Sequence, residues 1–231
     1  MASYANERAR LNRLVGIFGG TFNPIHVGHL RAAEEVAESL GLAQVLFVPA
    51  ADPPLKRDGE VALAPASDRY HWVEAATASN PCFEVSAAEQ GRSGPSYLVD
   101  TLRLLREELT PAELVFILGQ DAFAQLDAWR APEALPTLAH FAVVTRPPGG
   151  GSLSDWLPPS LAASVEVDAS GQLARHRTAG TWIRRVPISA FDVSATDIRL
   201  RLRDGRSIRY LVPEVTREPI EKCDAYKGQP T

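Results

Sequence analysis

Cysteine is almost absent from this chain: of 231 residues only Cys82 and Cys223 are thiols, far apart and outside any CxxC or Cys/His spacing. That excludes a disulfide framework and a zinc site, and a reducing cytoplasm is the expected compartment. No run approaches the ~18 apolar residues of a membrane helix. Glu7, Arg8, Arg10 and Arg13 are followed by no signal-type apolar region, so residues 1–13 read as a polar tail. An excess of positive charge is missing too: 24 Lys+Arg against 28 Asp+Glu leave −4. Such a chain has no field to gather long nucleic acid or an anionic membrane, and a polyanion must be met by a local cluster of cations and amides. What is present is ordinary for a globular protein, 45% hydrophobic and 23% charged residues, enough for a sizeable core. The length suits one domain, expected over residues 14–231.

Apolar runs and helical spacings alternate. Leu14–Phe18 is a strand ending in Gly19-Gly20, and Val27, Leu30, Ala33, Val36, Ala37 and Leu40 mark a helix stopped by Gly41. Gln44–Pro49 completes a strand, helix, strand unit, which predicts a parallel sheet. Ser67–Ser79 reads as helix, Phe83–Ser86 as strand, Tyr97–Leu109 as helix, Leu114–Leu118 as strand. A less regular helical stretch carries Trp129 and Leu135, and Phe141–Thr145 is a further strand. Between Ser152 and Gly180 only Val165–Val167 reads as a strand. Ile183–Ile188 is another, Ser194 to Asp197 has the form of a capping box opening a helix to about Arg203, and Glu214–Cys223 is a final helix. The pattern is a Rossmann-like α/β domain, an open parallel sheet with helices on both faces.

Ligands of open parallel sheets bind at the carboxyl ends of the strands. There this sequence carries Gly19-Gly20-Thr21, Pro49 through Lys56, Gly119-Gln120-Asp121 and Thr145-Arg146. His26 and His29 stand at i and i+3 at a helix start, where free amides and the macrodipole attract anions. Gly28 between them leaves the backbone open to close approach. Three readings share this spacing: a cap or solvated pair, half of a metal site, and a phosphate site. No evident third metal ligand accompanies the pair. The glycines and the second cluster at Ser194, Thr196 and Arg199 favour phosphate. Neither GxGxxG nor GxxxxGK[ST] occurs.

Gly19 through Leu30, reading GGTFNPIHVGHL, resembles the signature of the HxGH nucleotidyltransferases, and specifically of bacterial nicotinate mononucleotide adenylyltransferases. Four further segments resemble that family in order: Pro53-Pro54-Leu55-Lys56, Ser96 through Leu102, Phe116 through Trp129, and Val193 through Arg199 followed by Tyr210-Leu211-Val212-Pro213. The resemblance implies transfer of AMP from ATP to nicotinate mononucleotide, giving deamido-NAD and pyrophosphate, with Mg²⁺ accompanying ATP and no protein metal ligand assigned. It implies catalytic roles for His26, His29, Lys56 and Arg199. Gly19, Gly20, Thr21, Phe22, Gly28, Gly119, Asp121, Ser194 and Thr196 would bind ATP, and Asp100, Thr101, Trp129 and Arg146 the mononucleotide. Both partners are small molecules, neither nucleic acid nor membrane is expected, and a homo-oligomer is compatible with the family.

Plainer roles compete at each position. Lys56 can be a loop cation and Arg199 one of a solvated row with Arg201 and Arg203. Asp121 can cap a helix, Trp129 can be core, and Asp100 with Thr101 can support a helix end. Asn23 stands where the family commonly has Asp, and Leu55 where it has His. Sister enzymes with another phosphate acceptor would share the first and last motifs but lack the Asp100-Thr101 and Trp129 segments. A nucleotide sensor would bind ATP without turnover. A class I aminoacyl-tRNA synthetase fragment would need a KMSKS-type loop that is absent here.

Overall fold

The structure is a computed structural model that describes residues 14–54, 62–146, 151–189 and 191–227. The polar tail 1–13, Leu55 and Lys56 lie outside the described residues. Eight strands form one sheet: β1 (Leu14–Gly20), β2 (Gln44–Pro49), β3 (Phe83–Val85), β4 (Glu113–Gly119), β5 (His140–Thr145), β6 (Val165–Val167), β7 (Leu173–His176) and β8 (Trp182–Pro187). Their order is β3-β2-β1-β4-β5-β8-β7-β6. The main helices are α1 (Val27–Leu40), α2 (Ala66–Thr77) and α3 (Leu98–Glu108). Four short helices follow: α4 (Gln120–Ala124), α5 (Leu135–Leu138), α6 (Leu153–Trp156) and α7 (Pro159–Ala162). Helices α8 (Ala195–Arg203) and α9 (Glu214–Lys222) end the chain's helical part. Among the described residues no helix is long and apolar enough to cross a membrane.

By its contacts the chain divides into two compact units. The first comprises residues up to Gly19, Ala32–Leu46 and Tyr97–Ala190. Here β1, β4, β5 and β8 run parallel, Val115 opposite His140 and Phe141 opposite Ile183. The apolar runs of β1, β4 and β5 bury Ile17, Ile117, Phe141 and Val143, as strands covered on both faces require, while β8 alternates buried and exposed positions. The open parallel sheet is present as expected, and one edge adds antiparallel pairs, β6 with β7 and β7 with β8. The connections explain the difference. Only five residues join β6 to β7 and five join β7 to β8, too few for a parallel crossover. The first turn is tied by Asp168, whose carboxylate accepts from the amides of Gln172 and Leu173 and from the Ser170 hydroxyl. Those donors, the Ser170 hydroxyl foremost, hold its pKa below the usual carboxylate range.

The region around Trp129 is less helical than its spacing predicts. Helix α4 lasts five residues, 3₁₀ turns cover Leu126–Ala128 and Pro132–Ala134, and Trp129 itself is extended.

The second unit comprises Gly20–Arg31, Phe47–Ser96 and Phe191–Thr231. Its centre is a charged side chain. Arg69 of α2 is wholly buried (0% exposed) and donates to four main-chain oxygens. Nε reaches Ala64 at 3.0 Å, Nη1 reaches Thr21 at 2.7 Å and Ala50 at 2.6 Å, and Nη2 reaches Ala51 at 3.1 Å. Burial pulls its pKa down from the ordinary arginine value, the nearby Tyr226 and Glu89 opposing the shift. A guanidinium stays charged even so, and its fork of donors suits several carbonyls at once. Arg69 thereby pins the segment after β1, the segment after β2 and the approach to α2 to one point.

Removing it leaves those oxygens buried without their donor. Arg69→Met is expected to cost about 3 kcal/mol or more in urea unfolding, in the range for breaking a buried polar cluster. A loss under about 1 kcal/mol would show that the carbonyls find other partners.

Candidate active site

The second unit holds most of the polyanion-directed residues. Chain leaves β1 through Thr21 and Phe22, the latter buried with φ of +46°, a left-handed backbone that a bulky residue rarely adopts. Its ring packs edge-on to His29, with centroids 5.1 Å apart, and against Phe47. Gly20 is needed beneath it, since a Cβ there would stand 3.1 Å from the Phe22 ring.

His26 is the residue before α1, and its carbonyl accepts from the His29 amide at 3.0 Å. In return the His26 amide donates to Nδ1 of His29 at 3.2 Å. The second bond is one half of a capping box, the side chain at the third helical position accepting from the N-cap amide, with an imidazole in the place usually held by Glu or Gln. An Nδ1 that accepts carries no proton, so the proton of the neutral ring sits on Nε2, leaving one directed N–H donor. The rings of His26 and His29 stack, 3.6 Å between centroids and 24° apart in plane. Gly28 serves this stack rather than an open backbone: a Cβ there would meet the His26 ring at 3.1 Å.

Arg199 lies on the second turn of α8. Its Nη1 donates to the carbonyl oxygen of Asn23 at 2.8 Å and its Nη2 to the Thr196 hydroxyl at 3.1 Å. Partial burial lowers its pKa from the ordinary value, opposed by Tyr226. Arg199 is therefore no member of a solvated row. Its neighbour Arg201 pairs instead with Asp197 at 2.8 Å. The α8 start is capped as its sequence predicts in one half only: Ser194 Oγ accepts from the Asp197 amide at 3.0 Å, while the Asp197 carboxylate turns to Arg201. The box with both halves made lies at Ser152 and Asp155.

Asn23 is buried and fully engaged. Its Nδ2 donates to Ala62, and its Oδ1 accepts from the Ala64 amide at 3.1 Å and from the Tyr226 hydroxyl at 2.5 Å. The amide of Val27 donates to Leu211, tying the start of α1 to the chain after α8. Sequence reasoning did not single out Arg69 or Tyr226. A buried arginine in an apolar helix face and a lone tyrosine near the terminus carry no motif.

The first unit holds the remaining predicted residues. Gly19 lies at the end of β1, where a Cβ would press on Phe116 at 3.1 Å. Gly119 closes β4 with ordinary strand dihedrals and nothing within 4 Å of a Cβ, so no protein neighbour demands a glycine there. Asp121 is exposed on the first turn of α4. Trp129 is half-buried, its ring edge-on to Phe116 at 6.2 Å. Beside it Arg130 lies over the Tyr97 ring, 4.6 Å from its centroid. Asp100 is on the first turn of α3, 3.6 Å from Arg103. Thr101 is buried, its hydroxyl donating back to the Tyr97 carbonyl at 3.3 Å. Arg146 is exposed after β5. Among the described residues no group of three or more His, Cys, Asp or Glu side chains gathers as a metal site.

The chemistry this assembly supports is binding of a polyphosphate: two imidazoles at a fourteen-residue helix's start, a held guanidinium and a capped second helix start. Comparison with known proteins agrees. Residues 17–201 match the cytidylyltransferase-like family. The chain is 42% identical to a protein of Geobacter sulfurreducens named "Probable nicotinate-nucleotide adenylyltransferase", covering 91% of this chain and 97% of that one. A protein of the same name from Thermomicrobium roseum is 39% identical, with 92% and 91% covered. Among solved structures, Plasmodium falciparum nicotinic acid mononucleotide adenylyltransferase complexed with NaAD superposes with a TM-score of 0.67 at 15% identity, covering 91% of this chain and 95% of that one. At that identity the likeness speaks for the fold.

The hydrogen bond at His29 makes a prediction of its own. Nitrogen NMR of the imidazoles near pH 8 is expected to show His29 as the Nε2–H tautomer. An Nδ1–H pattern would break the link to the His26 amide and with it the assignment of the donor.

Proposed function

The chain belongs to the nicotinate-nucleotide adenylyltransferases of the cytidylyltransferase-like family, and on that premise we propose how its own residues carry the transfer of AMP from ATP to nicotinate mononucleotide. One phosphate oxygen of the mononucleotide attacks the α-phosphorus of ATP. A new P–O bond forms, the bond to the β-phosphate breaks, and pyrophosphate leaves with the electron pair. The nucleophile is a phosphate whose second pKa is about 6, so it is largely dianionic at neutral pH and needs no base. The protein's work reduces to alignment and to stabilising charge as it moves onto the leaving group.

The observation that carries this reading is the His26–His29 pair: stacked rings at the start of α1, with His29 left one directed Nε2–H. That group donates to a phosphate oxygen without adding a proton to be lost. Arg199 supplies the fixed positive charge, held by Asn23 and Thr196. Thr21, Phe22 and the glycines Gly19, Gly20 and Gly28 shape the phosphate loop, and Ser194 and Thr196 set the start of α8 beside Arg199. Lys56 adds a second cation. At the end of β4 the bare Gly119 and exposed Asp121 suit the ATP ribose, a ligand hydroxyl against a carboxylate. Trp129 stacks on the pyridine ring, with Asp100, Thr101 and Arg146 supporting the mononucleotide.

The donor set here is imidazole, guanidinium and hydroxyl, and the carboxamide of Asn23 is committed to Ala62, Ala64 and Tyr226. These groups suit phosphate oxygens better than a divalent ion. A divalent ion would come with the triphosphate rather than be held by these side chains, and there it would offset phosphate charge.

Purified protein with ATP, Mg²⁺ and nicotinate mononucleotide is expected to release pyrophosphate and form deamido-NAD, far faster than with the nicotinamide substrate. Equal rates would remove the base preference, and no pyrophosphate with either would overturn the activity. In that assay His29→Ala should lower kcat ~10²-fold, the usual cost of one transition-state donor. Trp129→Ala should raise KM for the mononucleotide well beyond KM for ATP. An equal rise in both would make Trp129 a packing residue.

A further inference from the structure

Tyr226 sits in a 3₁₀ turn (Asp224–Tyr226) after α9, remote in sequence from every motif described above. It is nonetheless buried, its ring 6.0 Å from that of Trp72 on α2, and its hydroxyl donates to Asn23 Oδ1 at 2.5 Å. The main-chain oxygen of that same Asn23 receives Nη1 of Arg199 at 2.8 Å. Tyr226, Asn23 and Arg199 thus form one chain of contacts from the C-terminal segment, through the loop after β1, to the guanidinium of α8. We propose that Tyr226 is a positioning residue for the transfer: its hydroxyl holds the Asn23 peptide in the place from which Arg199 is aimed. The inference rests on the adenylyltransferase reading, in which Arg199 meets phosphate.

Three features argue that this is more than a buried hydrogen bond. Among the described residues Arg199 donates to Thr196 on its own helix and to Asn23 outside it, so its second anchor is the one Tyr226 touches. A guanidinium on a long side chain loses much of its usefulness when only one anchor remains, because misplacement by about 1 Å can cost ~10²-fold in rate. Finally, burial pushes the Tyr226 phenol well above its usual range, although Arg69 and Arg199 act the other way, so it remains a protonated donor at any working pH. The bonds from Asn23 to Ala62 and Ala64 survive the loss of the Tyr226 hydroxyl, so that loss shifts the aim of the Asn23 peptide without releasing the loop.

The test is a kinetic cycle on the full-length protein. Tyr226→Phe removes one oxygen and keeps the ring against Trp72. Its kcat is expected to fall about 10-fold while KM for the mononucleotide stays within about 2-fold, since a positioning loss acts in the transition state. In an Arg199→Lys background, where the two-pronged anchor is already lost, the same Tyr226→Phe change should alter kcat by less than 2-fold. A general structural role would predict the same fold loss in both backgrounds, and that result would overturn the proposal, as would an unchanged kcat in folded Tyr226→Phe. If Tyr226→Phe fails to fold, Asn23→Ala takes its place. It removes the Tyr226 acceptor together with the bonds to Ala62 and Ala64 and keeps the carbonyl, so kcat is expected to fall at least 10-fold alone and by less than 2-fold in the Arg199→Lys background. Failure of the wild-type protein to release pyrophosphate would instead strike the adenylyltransferase reading, so the two failures are told apart.

Discussion

The second unit depends on one buried cation. Arg69 brings the carbonyls of Thr21, Ala50, Ala51 and Ala64 to a single guanidinium, and each of those peptides lies in a segment without regular structure to satisfy it. Loop backbone normally runs on the surface, where water serves it. Here two strand-end loops are drawn inward and served by one arginine. The arrangement is costly on its own, since a charge and four acceptors are desolvated together. One of the loops so fixed, the one after β1, carries Asn23 and His26 and leads into α1 with His29.

From that anchor the proposed site is a set of donors whose aim is settled by the protein's own hydrogen bonds. His29 is turned by the His26 amide, Arg199 by Asn23 and Thr196, and the α8 start by Ser194. None of these groups needs to gain or lose a proton when a phosphate attacks a phosphate. A reaction whose nucleophile is already ionised asks for preorganised electrostatics, and a preorganised site stabilises moving charge without having to reorganise.

The strands and long helices were legible in the sequence because their signals are local. Gln44–Pro49 and Val165–Val167 have the expected bounds, the first because its apolar run has little else to become, the second because two valines flank Glu166 in strand alternation. The edge hairpins were not legible. Leu173–His176 is four residues long, and its pairing depends on the Asp168 turn rather than on a hydrophobic period. The helical spacing around Trp129 misled because Pro132 and the left-handed Ala131 break the chain into 3₁₀ turns. Of the candidate site, the motif residues could be found by spacing, but their supports could not. Arg69 and Tyr226 act across 48 and 203 residues of sequence, on a carbonyl of Thr21 and the amide oxygen of Asn23, and no local pattern records such a partner.

Asn23 shows why a departure from a family pattern has to be read with its partners. An aspartate at this position would present two acceptors, one of them toward the Ala62 carbonyl that now receives Nδ2–H. Two oxygens facing each other in a buried place would repel, and the carboxamide avoids this. It donates where a carbonyl waits and accepts where an amide and a phenol wait. The neutral side chain and the Tyr226 donor are therefore one solution: the Asn23 side chain is held by neutral hydrogen bonds, while Arg69 and Arg199 take the main-chain oxygens of Thr21 and Asn23 beside it.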